Sequence, residues 1–250
     1  MKILLINGSM RGEQSSSLKV ANAFVDGIVE ADENKETEVI KVNLRDKRIE
    51  HCFGCFCCWK IHRGECVIKD DMEELRKLVM EADVIVESFP LYFFGMPSKM
   101  KAFTDRMISH VSEYRAVNGD EATGRFLHEM RYPELMQKKL VLVSACGYEE
   151  TVDCFDALIN QFDKICGHDN YVRVFAPQGG MLAEKTFENK VCKYLVKFTE
   201  AGKEFARNGR LSEETETKLQ IPMLGHNTFA QAINLNWDDP DAGPYGKVVK

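Results

Sequence analysis

The sequence lacks any long apolar run. The stretch ILLI at residues 3–6 is too short for the core of a signal sequence or for a membrane span, and Asn-Gly-Ser follows it directly. Hydrophobic residues make up 44% of the 250 residues and charged residues 29%, which is ordinary for a soluble globular protein. We therefore expect a cytoplasmic protein with no membrane partner.

The sequence also lacks an excess of positive charge. It has 33 Lys and Arg against 39 Asp and Glu, for a formal net charge of −6. This balance argues against a general nucleic-acid binder. It does not argue against a small anionic ligand, because the amino terminus of a helix binds phosphate locally.

Two common nucleotide-binding fingerprints are missing as well. Neither G-x-G-x-x-G nor the Gly-Lys-Ser/Thr of a P-loop occurs, and we find no internal repeat and no low-complexity tract. If the protein binds a phosphate-bearing cofactor, another kind of loop must hold it.

What is present is a regular alternation of strand and helix patterns. Short apolar runs predict strands, and segments with helical spacing follow each of them. The predicted strands are 2–6, 39–44, 83–88, 139–145 and 171–175; the predicted helices are 15–31, 70–82, 97–112, 151–166 and 186–208. Five such units indicate one domain, residues 1–210, with a parallel sheet covered by helices on both faces.

The last forty residues, 211–250, break this alternation. They are rich in Asn, Asp, Pro and Gly and show no convincing period, apart from a short predicted helix at 212–219. We interpret them as a tail, which either serves as an interface arm or is a partly disordered end.

Three loops follow predicted strands at the edge where parallel sheets bind ligands. The first contains Ser9, Arg11 and the serines 15–17 before a helix; hydroxyls, amides and a helix amino terminus favour phosphate binding over a simple N-cap. The second has four aromatic residues within 89–94, which suits the covering of a planar ring. The third, SACGYEE at 144–150, offers a glycine and a tyrosine.

These segments resemble a known family. GSMRGEQSSSLKVANAF and PLYFFGMPSKMKAFTDR are similar to the NAD(P)H-dependent FMN reductase group of the flavodoxin-like superfamily. The middle segment, CFGCFCCWKIHRGECVIKDDMEEL, resembles its iron–sulfur flavoprotein branch. Over residues 1–210, the resemblance implies a three-layer fold with strand order 2-1-3-4-5.

The resemblance also implies a flavin site and an assembly. Three sets of residues would hold FMN: its phosphate by Ser9, Arg11, Ser15, Ser16 and Ser17; its ring by Pro90, Leu91, Tyr92, Phe93 and Gly95; the other edge of the ring by Ala145, Cys146, Gly147 and Tyr148. Cys146 stands where a small or hydroxyl residue is expected, and we interpret it as a small apolar residue at a strand end. Members of the family are typically oligomeric, so a homodimer or homotetramer is expected.

The cysteine-rich loop at residues 51–66 carries the spacing Cys52-x2-Cys55-x2-Cys58-x7-Cys66, with Cys57 left over. Compact series of this kind commonly hold iron–sulfur cubanes, and the resemblance implies a [4Fe–4S] cluster. Three alternatives remain open: a zinc site completed by His51 or His62, a redox dithiol of Cys55 and Cys58, and a thiol-rich loop without a cofactor.

The expected function depends on that loop. Without a cluster, FMN would take a hydride from NAD(P)H and reduce a quinone, flavin, nitro compound or metal ion, and no catalytic side chain is required. With a cluster, the protein would exchange single electrons with a ferredoxin-like protein, as a carrier or redox sensor. A flavin-free interaction protein is the third hypothesis. The acids of DDMEEL are interpreted as helix-start charges, with Asp70 and Glu73 forming a capping box.

Overall fold

The computed structural model describes residues 1–114, 119–120, 125–126 and 128–238. Five parallel strands form the central sheet in the order β2-β1-β3-β4-β5. They are β1 (Lys2–Asn7), β2 (Glu38–Asn43), β3 (Val84–Pro90), β4 (Lys139–Ala145) and β5 (Tyr171–Ala176). The flavodoxin-like strand order and the predicted fold class are confirmed. A separate antiparallel pair joins Gly119–Asp120 to Arg125–Phe126.

Eight α-helices lie within the described part of the chain. They are α1 (Ser16–Glu30), α2 (Cys57–Lys60), α3 (Met72–Glu81), α4 (Ser98–Arg106), α5 (Asp156–Cys166), α6 (Glu188–Asn208), α7 (Glu213–Leu219) and α8 (His226–Asp238). Helices α1 and α6 bury their apolar sides against one face of the sheet, and α3, α4 and α5 bury theirs against the other. None of the described helices is long and apolar enough to cross a membrane.

Strand β1 shows why both faces are covered. Ile3 and Leu5 pack in the core beneath α1 and α6, whereas Leu4 and Ile6 pack in the core on the opposite face. Because successive side chains of a strand point to opposite faces, an unbroken apolar run requires an apolar layer on each side. On the first side, α1 crosses α6 at Gly27 and Gly202, which lack side chains that would hold the two backbones apart.

The helices differ from the predictions at several places, and α2 lies in a segment for which no helix was predicted. Helix α4 ends at Arg106, and a 3-10 turn, Met107–His110, replaces the rest of the segment predicted to 112. Helix α5 begins at Asp156 rather than at 151, because residues 152–154 form turns that include Asp153 at φ 59°. Helix α8 was not predicted, since its sequence is mostly polar or small.

The described part of the tail packs on the domain. Leu219 of α7 is buried in the core beneath α1 and α6, and Phe229 of α8 packs with Met181 and Leu224. The buried side chain of Gln178 joins the domain to the tail. Its Nε2 donates to Leu224 O at 2.8 Å, and its Oε1 accepts from Leu224 N at 2.8 Å. Residues 239–250 of the predicted tail lie outside the described residues.

Candidate functional site

The loop after β1 is organised by a residue that the sequence reasoning missed. The Nδ2 of Asn7 donates to Gly12 O at 3.1 Å and to Asn43 Oδ1 at 2.8 Å, and its Oδ1 accepts from Ser9 N at 3.1 Å. The side chain therefore fixes the start and end of the turn and ties it to β2. An Asn that ends a buried strand just before a glycine was the available signal.

The serines of this loop fall into two roles. Ser15 caps α1, because its Oγ accepts from Leu18 N at 3.4 Å, and it lies 2.9 Å from Ser17 Oγ. Ser16 Oγ is buried and has no hydrogen-bond partner among the described residues. Ser9 Oγ accepts from the backbone N–H of Arg11 at 3.3 Å. The loop thus combines a capped helix amino terminus with one buried hydroxyl that is not used by the protein, which suits an anion.

The loop after β3 ends in a strained aromatic turn. Tyr92 and Gly95 exchange two backbone hydrogen bonds of 3.0 Å, and the residues between them, Phe93 and Phe94, both have positive φ, 47° and 61°. Turns of this kind normally carry Asn-Gly, since a side chain in this region costs about 1–3 kcal/mol of strain. The turn leaves Phe93 fully exposed, at the position predicted to cover a flavin ring.

The second and third loops meet. Pro90 and Ala145 are partners on the neighbouring strands β3 and β4, and Leu91 N donates to Ala145 O at 3.0 Å. Beyond them, the rings of Phe94 and Tyr148 stack with centroids 6.0 Å apart and an angle of 13°. The structure therefore brings the residues predicted for the two edges of the flavin ring together at the carboxyl ends of adjacent strands.

Gly147 and Cys146 occupy contrasting environments in the third loop. No described atom lies within 4 Å of the position that a Cβ on Gly147 would take, so its backbone borders open space. Cys146 is buried, its Sγ donates to Glu150 O at 3.7 Å, and burial raises the pKa of its thiol to about 12. Its sulfur belongs to the core, as expected for a small apolar residue, and not to the loop surface.

The cysteine-rich loop forms a second candidate site. The four cysteines of the compact series, Cys52, Cys55, Cys58 and Cys66, line one cavity of about 50 Å³. Cys57 is not among its lining residues, although it belongs to α2 as Cys58 does. The loop turns sharply before that helix at Phe56, whose φ is 56°. Cys57 therefore lies beside the other cysteines, in hydrogen-bond contact with Cys55, but does not line their cavity.

The spacing of these thiols bears on which metal they suit. Among the residues that the structure describes, no three or more His, Cys, Asp or Glu side chains form a group that could hold a metal ion. Thiolates that share one zinc ion each lie about 2.3 Å from it and crowd together. A cubane presents a separate iron to each thiolate, so its ligands surround a larger body. The four thiols that line the cavity are as many ligands as a cubane takes, one for each iron.

A buried ion pair lies beside this cavity, and it corrects one prediction. Arg106 donates to Asp70 through Nη1 at 2.8 Å and Nη2 at 3.0 Å, and the two side chains are 1% and 0% exposed. Asp70 Oδ2 also accepts from Glu50 N at 2.9 Å. The prediction of a capping box with Glu73 was wrong, since the N-cap of α3 is Asp71 and the carboxylate of Asp70 faces the arginine.

The pKa of Asp70 reflects these contacts. Burial by itself would raise it, but the hydrogen bonds from Arg106 and from the Glu50 backbone hold it below its ordinary value. Asp70 is therefore a structural anion rather than a solvated helix-start charge. Sequence reasoning missed the pair; the only signal was an arginine on the apolar face of α4, one turn after Phe103.

Comparison with known proteins agrees with this fold. A family model described as a flavodoxin-like fold matches residues 1–181, and the chain belongs to that family. The resemblance to its NAD(P)H-dependent FMN reductase group is confirmed. Among solved structures, an FMN-dependent NADH-azoreductase from Bacillus anthracis in complex with FMN matches with a TM-score of 0.58 at 18% identity, covering 82% of this chain and 100% of that one. At this identity the likeness shows the fold alone.

Several proteins whose sequences are more similar to this chain than that azoreductase is are named iron-sulfur flavoproteins. One from Archaeoglobus fulgidus is 39% identical over 90 residues, 36% of this chain and 40% of that protein. One from Methanocaldococcus jannaschii is 40% identical over 106 residues, 42% and 51% of the two chains. An FMN-dependent NADH:quinone oxidoreductase from Rhizobium meliloti is 30% identical over 112 residues, 43% and 53% of the two chains. The matches span about half or less of the length of these relatives.

Proposed function

We propose that the protein is an FMN-dependent oxidoreductase that uses NAD(P)H to reduce a small acceptor, such as a quinone, flavin, nitro compound or metal ion. The observation that carries this proposal is the convergence of three loops at the carboxyl ends of β1, β3 and β4. One loop contains the buried hydroxyl of Ser16, which has no hydrogen-bond partner among the described residues. The other two loops meet where the rings of Phe94 and Tyr148 stack.

Each loop has a distinct task in this proposal. The amino terminus of α1 and the Ser16 hydroxyl bind the phosphate of FMN. The aromatic turn at Phe93 and Phe94 covers the ring and excludes water from it. The open space beside Gly147 lets the backbone approach the ring edge. When bound, FMN supplies the hydride and electron chemistry, so no acid or base is required of the chain.

We further propose that Cys52, Cys55, Cys58 and Cys66 hold a [4Fe–4S] cluster. Their shared cavity supports this assignment, and so does the exclusion of Cys57 from it. Relatives named iron-sulfur flavoproteins support it as well. A cluster exchanges single electrons, which makes a ferredoxin-like protein a suitable partner.

The cavity also favours a second candidate function. The protein would then be a one-electron carrier or redox sensor that holds FMN and a cluster but does not turn over a small acceptor. In either case we propose a homodimer or homotetramer, since the fully exposed Phe93 beside the flavin loop offers an apolar surface that a second copy can cover.

One preparation separates these functions. The protein is purified without oxygen, its absorbance spectrum is recorded, and FMN, iron and sulfide are assayed in the same sample. We expect bound FMN and about four irons per chain. Steady NAD(P)H oxidation with a quinone or nitro acceptor supports the enzyme, and a single reduction without turnover supports the carrier. Failure to bind FMN after reconstitution would rule out both.

The ligand set has its own test with a matched control. Cys58→Ser removes a thiol from the cavity, and Cys57→Ser removes its neighbour, which does not line it. We expect Cys58→Ser to lose iron while keeping FMN, and Cys57→Ser to keep both. Equal iron contents in the two variants would show that the assignment of ligands is wrong.

A further inference from the structure

Arg106 stands at the wall of the cysteine cavity. It is the last residue of α4, it lines the cavity together with Cys52, Cys55, Cys58 and Cys66, and its side chain is 1% exposed. A guanidinium has five N–H donors and cannot lose its charge in a protein, so each buried donor requires an acceptor. The partners of those donors show what Arg106 is placed to do.

Both terminal nitrogens of Arg106 are fully used. Nη1 donates to Asp70 Oδ2 and to Glu50 O, each at 2.8 Å, and Nη2 donates to Asp70 Oδ1 at 3.0 Å and to Ile68 O at 3.5 Å. These contacts hold the guanidinium plane fixed from one side. They account for four of its N–H groups.

The fifth donor, Nε, is buried and has no hydrogen-bond partner anywhere in the described residues. Leaving a buried, charged donor without an acceptor costs free energy, so such a group marks a place where an acceptor belongs. The cavity that Arg106 lines is also lined by the sulfur-bearing side chains of Cys52, Cys55, Cys58 and Cys66.

We propose that Arg106 donates a hydrogen bond from Nε to a sulfur of the cluster, either the Cys66 thiolate or a sulfide next to it, and thereby raises the reduction potential of the cluster. This inference rests on the proposed [4Fe–4S] cluster. Reduction adds one electron to a cluster that is already negatively charged. A charged donor at its sulfur stabilises the reduced form more than the oxidised form.

Asp70 has a positioning role in this arrangement. Its carboxylate accepts hydrogen bonds from both terminal nitrogens of Arg106. The edge of the guanidinium that carries Nε therefore faces away from Asp70. It also reduces the net charge beside the cluster, since the pair is neutral overall. The effect on the cluster therefore comes mainly from the direction of one N–H bond.

The test uses the full chain, loaded anaerobically with FMN and iron and sulfide. Three variants are compared with the wild type: Arg106→Lys, which keeps the charge without the planar group; Arg106→Gln with Asp70→Asn, which removes the pair together; and Arg76→Gln as the control. Arg76 donates to Gly64 O and Ser109 Oγ beside the cysteine loop but does not line the cavity.

The readout is the reduction potential of the cluster, followed by electron paramagnetic resonance, with the FMN potential as an internal reference. We expect a lower cluster potential in both Arg106 variants, with iron content and FMN potential unchanged, and wild-type values for Arg76→Gln. A loaded cluster whose potential does not move in the Arg106 variants overturns the inference and leaves the proposed function standing. A wild type that binds FMN but no iron overturns both the cluster and the inference.

A second measurement needs only the wild type, so it remains decisive if a variant fails to fold or to load. The protein is grown with arginine that carries the heavy nitrogen isotope, and double resonance is recorded on the reduced cluster. We expect a nitrogen coupling from arginine to the reduced cluster. A loaded cluster without any arginine coupling contradicts the hydrogen bond.

Discussion

Gly27 and Gly202 face each other where α1 crosses α6, and a Cβ on Gly27 would stand 3.1 Å from the Cα of Gly202. The same Cβ would lie 1.9 Å from the carbonyl oxygen of Thr199. That neighbour is backbone within a 21-residue helix, so it cannot turn aside as a side chain can. The two glycines therefore set the distance between the helices that cover one face of the sheet.

We predict that Gly27→Ala destabilises the fold. Overpacking at a backbone contact forces the helices apart and costs about 1–3 kcal/mol or more. Urea denaturation of the variant measures the loss. The control is Gly180→Ala, since no described atom lies within 4 Å of its Cβ position, and a change within about 0.5 kcal/mol is expected there. Equal stability of the two variants would contradict the close crossing.

The serines of the first loop allow a second prediction. Ser16→Ala removes a hydroxyl that has no partner in the described structure, so the stability of the flavin-free protein should not fall. FMN affinity should fall roughly 10- to 150-fold, because a hydrogen bond to a charged group is worth about 1.5–3 kcal/mol. Titration of the apoprotein with FMN, followed by flavin fluorescence, measures this loss.

Ser15→Ala serves as the comparison for that experiment. It removes the N-cap of α1 and should cost about 1 kcal/mol of stability. If Ser16→Ala bound FMN as tightly as the wild type, the buried hydroxyl would not be part of the phosphate site.

The third prediction concerns the strained aromatic turn. Phe93→Asn with Phe94→Gly supplies the residues that tolerate positive φ at both positions, so we expect the flavin-free protein to gain about 1–3 kcal/mol of stability. FMN binding should weaken, because the rings that cover the flavin are gone. Thermal unfolding and FMN titration of the same variant measure the two effects.

Lys35→Gly is the matched control for the turn. Lys35 also has positive φ, 56°, but lies outside the three loops. This substitution should leave FMN affinity unchanged. A turn variant that loses stability, or that binds FMN like the wild type, would show that the strain does not serve the flavin site.

The fourth prediction concerns pH. Glu87 in β3 is buried, and burial raises the pKa of its carboxyl to about 8. Between the ordinary value of 4.5 and about 8, the unfolded chain releases this proton while the folded protein keeps it. The contribution of Glu87 to the free energy of unfolding is therefore fully present below pH 4.5 and is lost as the pH rises through about 8.

Glu87→Gln removes this dependence while keeping the shape of the side chain. We expect the melting temperatures of wild type and variant to be similar near pH 5 and to diverge toward pH 8, where the variant is the more stable by a few kcal/mol. Parallel melting curves across this range would show that the carboxyl is ionised in the fold.

The strands were the most predictable part of the molecule. Lys139–Ala145 was predicted residue for residue, because a strand buried on both faces appears in the sequence as a short apolar run. The strands also predicted that the three candidate loops share one edge of the sheet, because parallel strands place their carboxyl ends on the same edge. The strand order itself came from family resemblance, because local patterns do not show which strands are neighbours.

Two of the features missed by the sequence reasoning, the Asp70–Arg106 pair and helix α8, depend on distant contacts. Asp70 and Arg106 are 36 residues apart, and the acidic cluster around Asp70 resembles an ordinary helix start. Helix α8 buries one residue, Phe229, which packs against Met181 and Leu224. The positive φ of Phe93 and Phe94 contradicts their local preference, so only the folded turn reveals it.

The two hydrogen bonds between Gln178 and Leu224 bear on the order in which the protein is synthesised. Gln178 is fully buried at the end of the last strand, yet both polar atoms of its amide are paired only by a residue 46 positions later. Because a chain leaves the ribosome from its amino terminus, the complete sheet emerges before this partner does. Until residue 224 has been synthesised, the amide of Gln178 lacks the partner that it has in the folded protein.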